Sequence, residues 1–182
     1  MRTKTLFLLF LVIANVASAQ KYIAKTGHVW FYSYTPMEVI EAHNRQVVSI
    51  LDLSTGDIVI NLLNKSFEFK VALMQEHFNE NYMETTKFPK STFKGKIANL
   101  DKIDLKKDGS YTAEVIGDLT IHGVTKNITT TGTIDVANGS ITAKAKFKVI
   151  PKDYEIKIPQ LVENKIAKEM EITLDIPYTA NN

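Results

Sequence analysis

The sequence predicts an all-β protein, a closed antiparallel barrel of about eight strands, with a two-sheet sandwich as the competing arrangement. Three observations carry this. Apolar and polar residues alternate with period 2 along most of the chain, as in Tyr111, Ala113, Val115, Gly117, Leu119 and Ile121 against Thr112, Glu114, Asp118 and Thr120. Turn residues separate the alternating runs, most clearly Ser54-Thr55-Gly56, the glycine of His122-Gly123, and Asn138-Gly139. Most runs have a single apolar face, which a barrel buries while removing exposed strand edges.

Residues 1–19 read as a cleaved secretory signal peptide. Arg2 and Lys4 precede a short apolar run from Leu6 to Ala14, and Ala17-Ser18-Ala19 is a small-residue cleavage site. The run is shorter than the roughly 20 residues that span a bilayer. Residues 20–182 then form a single domain, predicted to be periplasmic or secreted. There is no cysteine, so neither disulfides nor a lipoprotein anchor is available. Removing Arg2 and Lys4 from the 22 basic residues leaves 20 against 20 acidic ones. That neutral balance does not favour nucleic acid as a partner.

Residues 25–34 form the first strand, with Val29, Phe31 and Ser33 on one face and Trp30, Tyr32 and Tyr34 on the other. Thr35-Pro36 reads as an N-cap followed by proline at the first helical position, predicting a short helix to about Ile40. Residues 46–53 and 57–63 form a hairpin, and residues 66–69 a further short strand. Residues 70–81, free of proline and glycine, predict a helix. Strands follow around Phe93, from Tyr111 to Ile121, from Ile128 to Val136, and from Ile141 to Val149. Residues 101–108 are a charged loop. Pro151 and Pro159 bound an irregular stretch, residues 162–167 form a short helix, and Met170 to Tyr178 is the last strand.

The inward rows contain many small residues: Gly95, Ala113, Gly117, Thr130, Gly132, Ala143 and Ala145. They predict an apolar lumen with room for a ligand, since an eight-stranded barrel is just wide enough to be filled or to hold one small molecule. The competing reading is a filled barrel in which small residues fit the taper or bend the strands. No motif for catalysis or metal binding stands out. The four histidines, His28, His43, His77 and His122, match no metal spacing, and there is no nucleophile elbow or phosphate loop. The prediction is therefore a binding protein rather than an enzyme. Three glycosylation sequons, at Asn64, Asn127 and Asn138, read as coincidental.

The run Gly117-Asp118-Leu119-Thr120-Ile121-His122-Gly123-Val124-Thr125-Lys126 resembles the signature of the YceI-like, lipid- or polyisoprenoid-binding family. A second block, His77-Phe78-Asn79 followed by Lys87-Phe88-Pro89-Lys90-Ser91-Thr92-Phe93-Lys94-Gly95, is similar to that family's helix and following strand. The similarity covers about residues 21–178; residues 42–64 lack the glycine-rich stretch expected after the first strand. The resemblance implies an extended, lipocalin-like eight-stranded barrel with one or two short helical insertions. It implies a long-chain apolar ligand, an isoprenoid lipid or isoprenoid quinone, and no other cofactor. It also allows a homodimer, which no residue here specifies.

On this reading the ligand meets Phe31, Phe93, Val115, Leu119, Ile134, Phe147 and Leu174 in the lumen. His122 either contacts its head group or ties the hairpin to a neighbouring loop. The outward Lys144, Lys146 and Lys148 form a soluble face, or touch an anionic membrane transiently during ligand pick-up. A filled-barrel interaction or stress-protection module is the alternative function.

Overall fold

The computed structural model describes residues 21–180; the signal-peptide prediction lies outside them. Nine strands and one α-helix occur among these residues: β1 Lys21–Tyr34, β2 Val39–Asp52, β3 Asp57–Leu63, β4 Glu68–Phe69, α1 Ala72–His77, β5 Lys90–Ile97, β6 Gly109–Ile121, β7 Val124–Ala137, β8 Ser140–Val149 and β9 Met170–Ala180. The pairing runs β1-β9-β8-β7-β6-β5-β3-β2, and β2 pairs back onto β1, so eight antiparallel strands close a barrel. The two-residue β4 pairs with β2 at Ala42 and His43.

The strongest turn prediction holds in detail. Asn138 and Gly139 have φ of 50° and 76°, the left-handed pair that a two-residue hairpin needs between Ala137 and Ser140. His122 and Gly123 repeat this geometry between β6 and β7, with φ of 50° and 77°.

Four local predictions are corrected. Thr35-Pro36 opens no helix. Thr35 Oγ1 accepts the amides of Met37 and Glu38, and the chain turns directly into β2 at Val39. A Thr side chain caps a turn and a helix start by the same bonds, and Val39-Ile40 then continue as strand. The predicted strand 66–69 contracts to Glu68–Phe69, preceded by a 3-10 turn at Asn64–Ser66. The predicted helix 70–81 is α-helical only over Ala72–His77 and widens into a π-turn at Phe78–Tyr82. The helix predicted over 162–167 is a 3-10 segment displaced to Gln160–Lys165.

The two ends of the barrel differ. At the end bearing the β2–β3 and β7–β8 turns, here called the lower end, the lumen is packed. Val47, Leu51, Ile97, Ile141 and Ile176 are buried there. Ser49 Oγ donates to the Val59 carbonyl, so the buried Tyr178 hydroxyl, 2.6 Å away, donates to Ser49. Burial pushes the Tyr178 phenol up to about 12, against the smaller pull of the Ser49 bond. The upper end carries the long excursions, residues 64–89 and 150–169, which roof the barrel.

Candidate ligand-binding cavity

The upper lumen is hollow. A cavity of about 560 Å³ runs from Ile97 and Ala113 upward to α1 and the 3-10 segment at Gln160–Lys165. That size lies within the roughly 300–1,000 Å³ of small-molecule sites. Phe31, Phe93, Val115, Leu119, Ile134, Phe147 and Leu174, all placed inward by strand alternation, lie on its wall. Ionisable groups on the lining belong mainly to the upper end: Glu38 before β2, His77 on α1 and Lys165. Lys144 also contributes, but its ammonium turns outward to Asp135 at 2.8 Å.

The small residues divide into two kinds. Ala113, Thr130, Gly132, Ala143 and Ala145 line the cavity and do leave room. Gly95 and Gly117 do not. They face one another across β5 and β6, and a Cβ on either would fall 2.5–2.7 Å from the Phe93 ring. The ring occupies the space that the two missing side chains would need, so here the strand-bending interpretation of small residues applies.

His122 stands apart from the lumen. It is buried and absent from the cavity wall. Nδ1 lies 3.1 Å from the Tyr154 carbonyl, and Nε2 lies 3.0 Å from the Glu84 carboxylate. Phe88 packs against the ring at 4.3 Å. A Cβ on Gly123 would strike that Phe88 ring at 2.5 Å, so the glycine is required by packing as well as by φ. The signature turn thus ties together both excursions that roof the cavity.

Alternation along strands could not reveal the roof itself. Phe31 on β1 meets Phe67, Phe69 and Phe78 at ring-centroid distances of 5.5, 5.8 and 5.7 Å. Such aromatic pairs contribute about 0.5–1.5 kcal/mol each beyond area burial, so the segments flanking α1 are anchored by these rings in addition to the two-residue β4 ladder. Asn64 is fully buried beside them; it donates to the Phe88 carbonyl and accepts from Ser91 Oγ, both at 2.7 Å. That burial leaves no access for a glycan on the folded chain. A sequon gives no hint of burial, and Asn64 is legible only once its partners are placed.

The aromatics of β1 serve both faces. Phe31 looks inward, whereas Trp30 lies outside, stacked on His28 at 4.5 Å. His28 Nε2 is 3.0 Å from His43 Nδ1, and the Arg45 guanidinium donates to His28 Nδ1 at 3.5 Å. Burial first, then the charges of Arg45 and His43, lower the His28 pKa below 6.5, against a smaller opposing effect of Asp175. The folded state therefore binds this proton more weakly than the unfolded chain. Its stabilising contribution is complete above about pH 6.5 and is lost as pH falls from there through the lower pKa of the folded state. Trp30 is the only tryptophan. Its fluorescence should titrate with a midpoint below 6.5, and His28→Gln should abolish that transition. A midpoint at or above 6.5 would refute the assignment.

The family model described as the YceI-like domain matches residues 25–178. The chain belongs to the YceI-like family. Similar solved structures show the same fold. A polyisoprenoid-binding domain from Saccharophagus degradans has a TM-score of 0.77 at 15% identity, covering 90% of this chain and 99% of that one. Burkholderia cenocepacia BcnA has a TM-score of 0.71 at 16% identity, covering 84% and 96%. A Campylobacter jejuni YceI protein has a TM-score of 0.53 at 16% identity, covering 100% and 91%. No curated protein matches the sequence. In this YceI-like chain the signature residues divide their work. Gly117 permits close strand approach, Leu119 faces the lumen, His122 ties the roof and Gly123 makes the turn.

Proposed function

We propose that this YceI-like protein is exported and carries a long apolar molecule, an isoprenoid lipid or isoprenoid quinone, in its upper lumen for sequestration or transfer. The observation that carries this reading is the apolar cavity of about 560 Å³ above a packed lower end. A barrel serving only as an interaction module has no need of it. The Saccharophagus relative is a polyisoprenoid-binding domain, which favours the same ligand class. Burying roughly ten methylenes is worth about 8 kcal/mol gross at ~0.8 kcal/mol each. Association takes back several kcal/mol, so micromolar binding requires no ion pair.

Export rests on the signal-like residues 1–19. Exposed apolar side chains near the mouth support transient membrane contact during transfer: Met37 and Val39 at the β1–β2 turn, Val71 and Leu73 at α1, and Leu161 on the opposite excursion. The test is mass spectrometry of organic extracts from protein purified without detergent from its own host. A stoichiometric isoprenoid or quinone is the expected result. An empty barrel that also takes up no added isoprenoid would instead favour the interaction-module reading.

A further inference from the structure

The β7–β8 seam is paired only over its lower half. Its ladder runs from Ala137 opposite Ser140 to Gly132 opposite Ala145 and stops, although β7 reaches up to Val124 and β8 to Val149. Above that point β7 pairs with β6 as far as Val124, and β8 with β9 as far as Val149. The side chains follow the same division. Lys144 reaches across the paired part to Asp135. Higher up, Thr125 and Asn127 bond back to Thr120 and Asp118 on β6, while Lys146 and Lys148 bond to Glu171 and Glu169 on the other side. The short β2–β3 ladder is patched by β4; among the described residues no strand patches this one.

The split is bounded above by the contact of His122 Nδ1 with the Tyr154 carbonyl, since His122 precedes β7 and Tyr154 follows β8. What remains is a window in the wall with a volume of about 300 Å³. It shares Leu119, Ile128, Thr130 and Phe147 with the lumen. Its edge differs chemically from the lumen wall. An unpaired strand presents N–H and C=O groups that need partners. Thr130 is half-buried at the junction of window and lumen, and its hydroxyl has no hydrogen-bond partner among the described residues.

We propose that the window seats the polar head of the ligand while its tail fills the lumen, with the Thr130 hydroxyl and the free edge of β7 as hydrogen-bonding partners. The assignment rests on the carrier reading above. It specifies the ligand as an amphipathic isoprenoid with an uncharged hydrogen-bonding head, such as a hydroxyl or a quinone carbonyl. The near-isosteric Thr130→Val removes the hydroxyl and keeps β-branching.

The experiment titrates geranylgeraniol and the hydrocarbon of the same chain without its hydroxyl against wild type, Thr130→Val and Thr130→Ser. The expected result is an affinity for the alcohol about three- to tenfold weaker in Thr130→Val, from the loss of one neutral hydrogen bond. Hydrocarbon affinity stays unchanged, and Thr130→Ser restores the wild-type affinity for the alcohol. The assignment is overturned if Thr130→Val weakens both ligands equally or neither. If wild type binds neither compound, the carrier reading itself fails and this assignment falls with it.

Discussion

Gly117→Ala is expected to destabilise the barrel by about 3 kcal/mol or more, the largest effect of any single methyl group considered. The added Cβ would lie 2.4 Å from the Gly95 Cα, 2.5 Å from the Lys94 carbonyl oxygen and 2.7 Å from the Phe93 ring. A ring can rotate away, but two of these three contacts are backbone. Relieving them means separating β5 from β6, whose ladder runs from Thr92–Thr120 to Ile97–Val115 through the glycine pair itself. Gly139→Ala is the matched control. Nothing lies within 4 Å of its Cβ position, so it carries only the penalty of φ +76°, about 1–2 kcal/mol. Denaturant midpoints at constant slope measure both. A Gly117→Ala variant within 1 kcal/mol of wild type would mean that the close strand approach is not required.

Ala143→Trp is expected to abolish ligand carriage while leaving the barrel folded. Ala143 is buried on β8, opposite Ile134 and Ile176 on the flanking strands, and lines the cavity. An indole at that position projects into space the ligand would occupy. Overpacking a tight core costs about 1–3 kcal/mol; here the cavity accepts the ring, and the cost should lie at or below the low end. The expected outcome is at least tenfold less co-purified isoprenoid, with near-native circular dichroism and thermal midpoint. Full stoichiometry of lipid in this variant would place the ligand outside the lumen and refute the carrier geometry.

The strands were legible because the pleat places successive side chains on opposite faces, a rule that needs only neighbours in the chain. Phe31, Phe93, Val115, Leu119, Ile134, Phe147 and Leu174 could therefore be assigned inward before any partner strand was known. The Asn138-Gly139 turn was legible for a related reason, since its conformation is set by two residues. Thr35-Pro36 was misread because capping chemistry is local but does not distinguish a turn from a helix start. The decision came from β2 pairing with β1 as far up as Val39, opposite Tyr34. His122 was recognisable as part of a signature. Its partners Glu84 and Tyr154, 38 and 32 residues away, were not.

Sequence alone therefore determined the barrel's class, the inward face of its main strands and the family signature, because each rests on period-2 alternation or a short contiguous motif. Only the tertiary structure decided which small residues leave space. Gly95 and Gly117 serve strand approach beneath the Phe93 ring, while Ala143 and Ala145 border the cavity. It alone decided that the lower lumen is packed and the upper one hollow, and that β7 and β8 part above Gly132. The physical reason is the same in each case. The volume beside a residue is set by side chains from other strands, and pairing between strands is a long-range choice that no local pattern encodes.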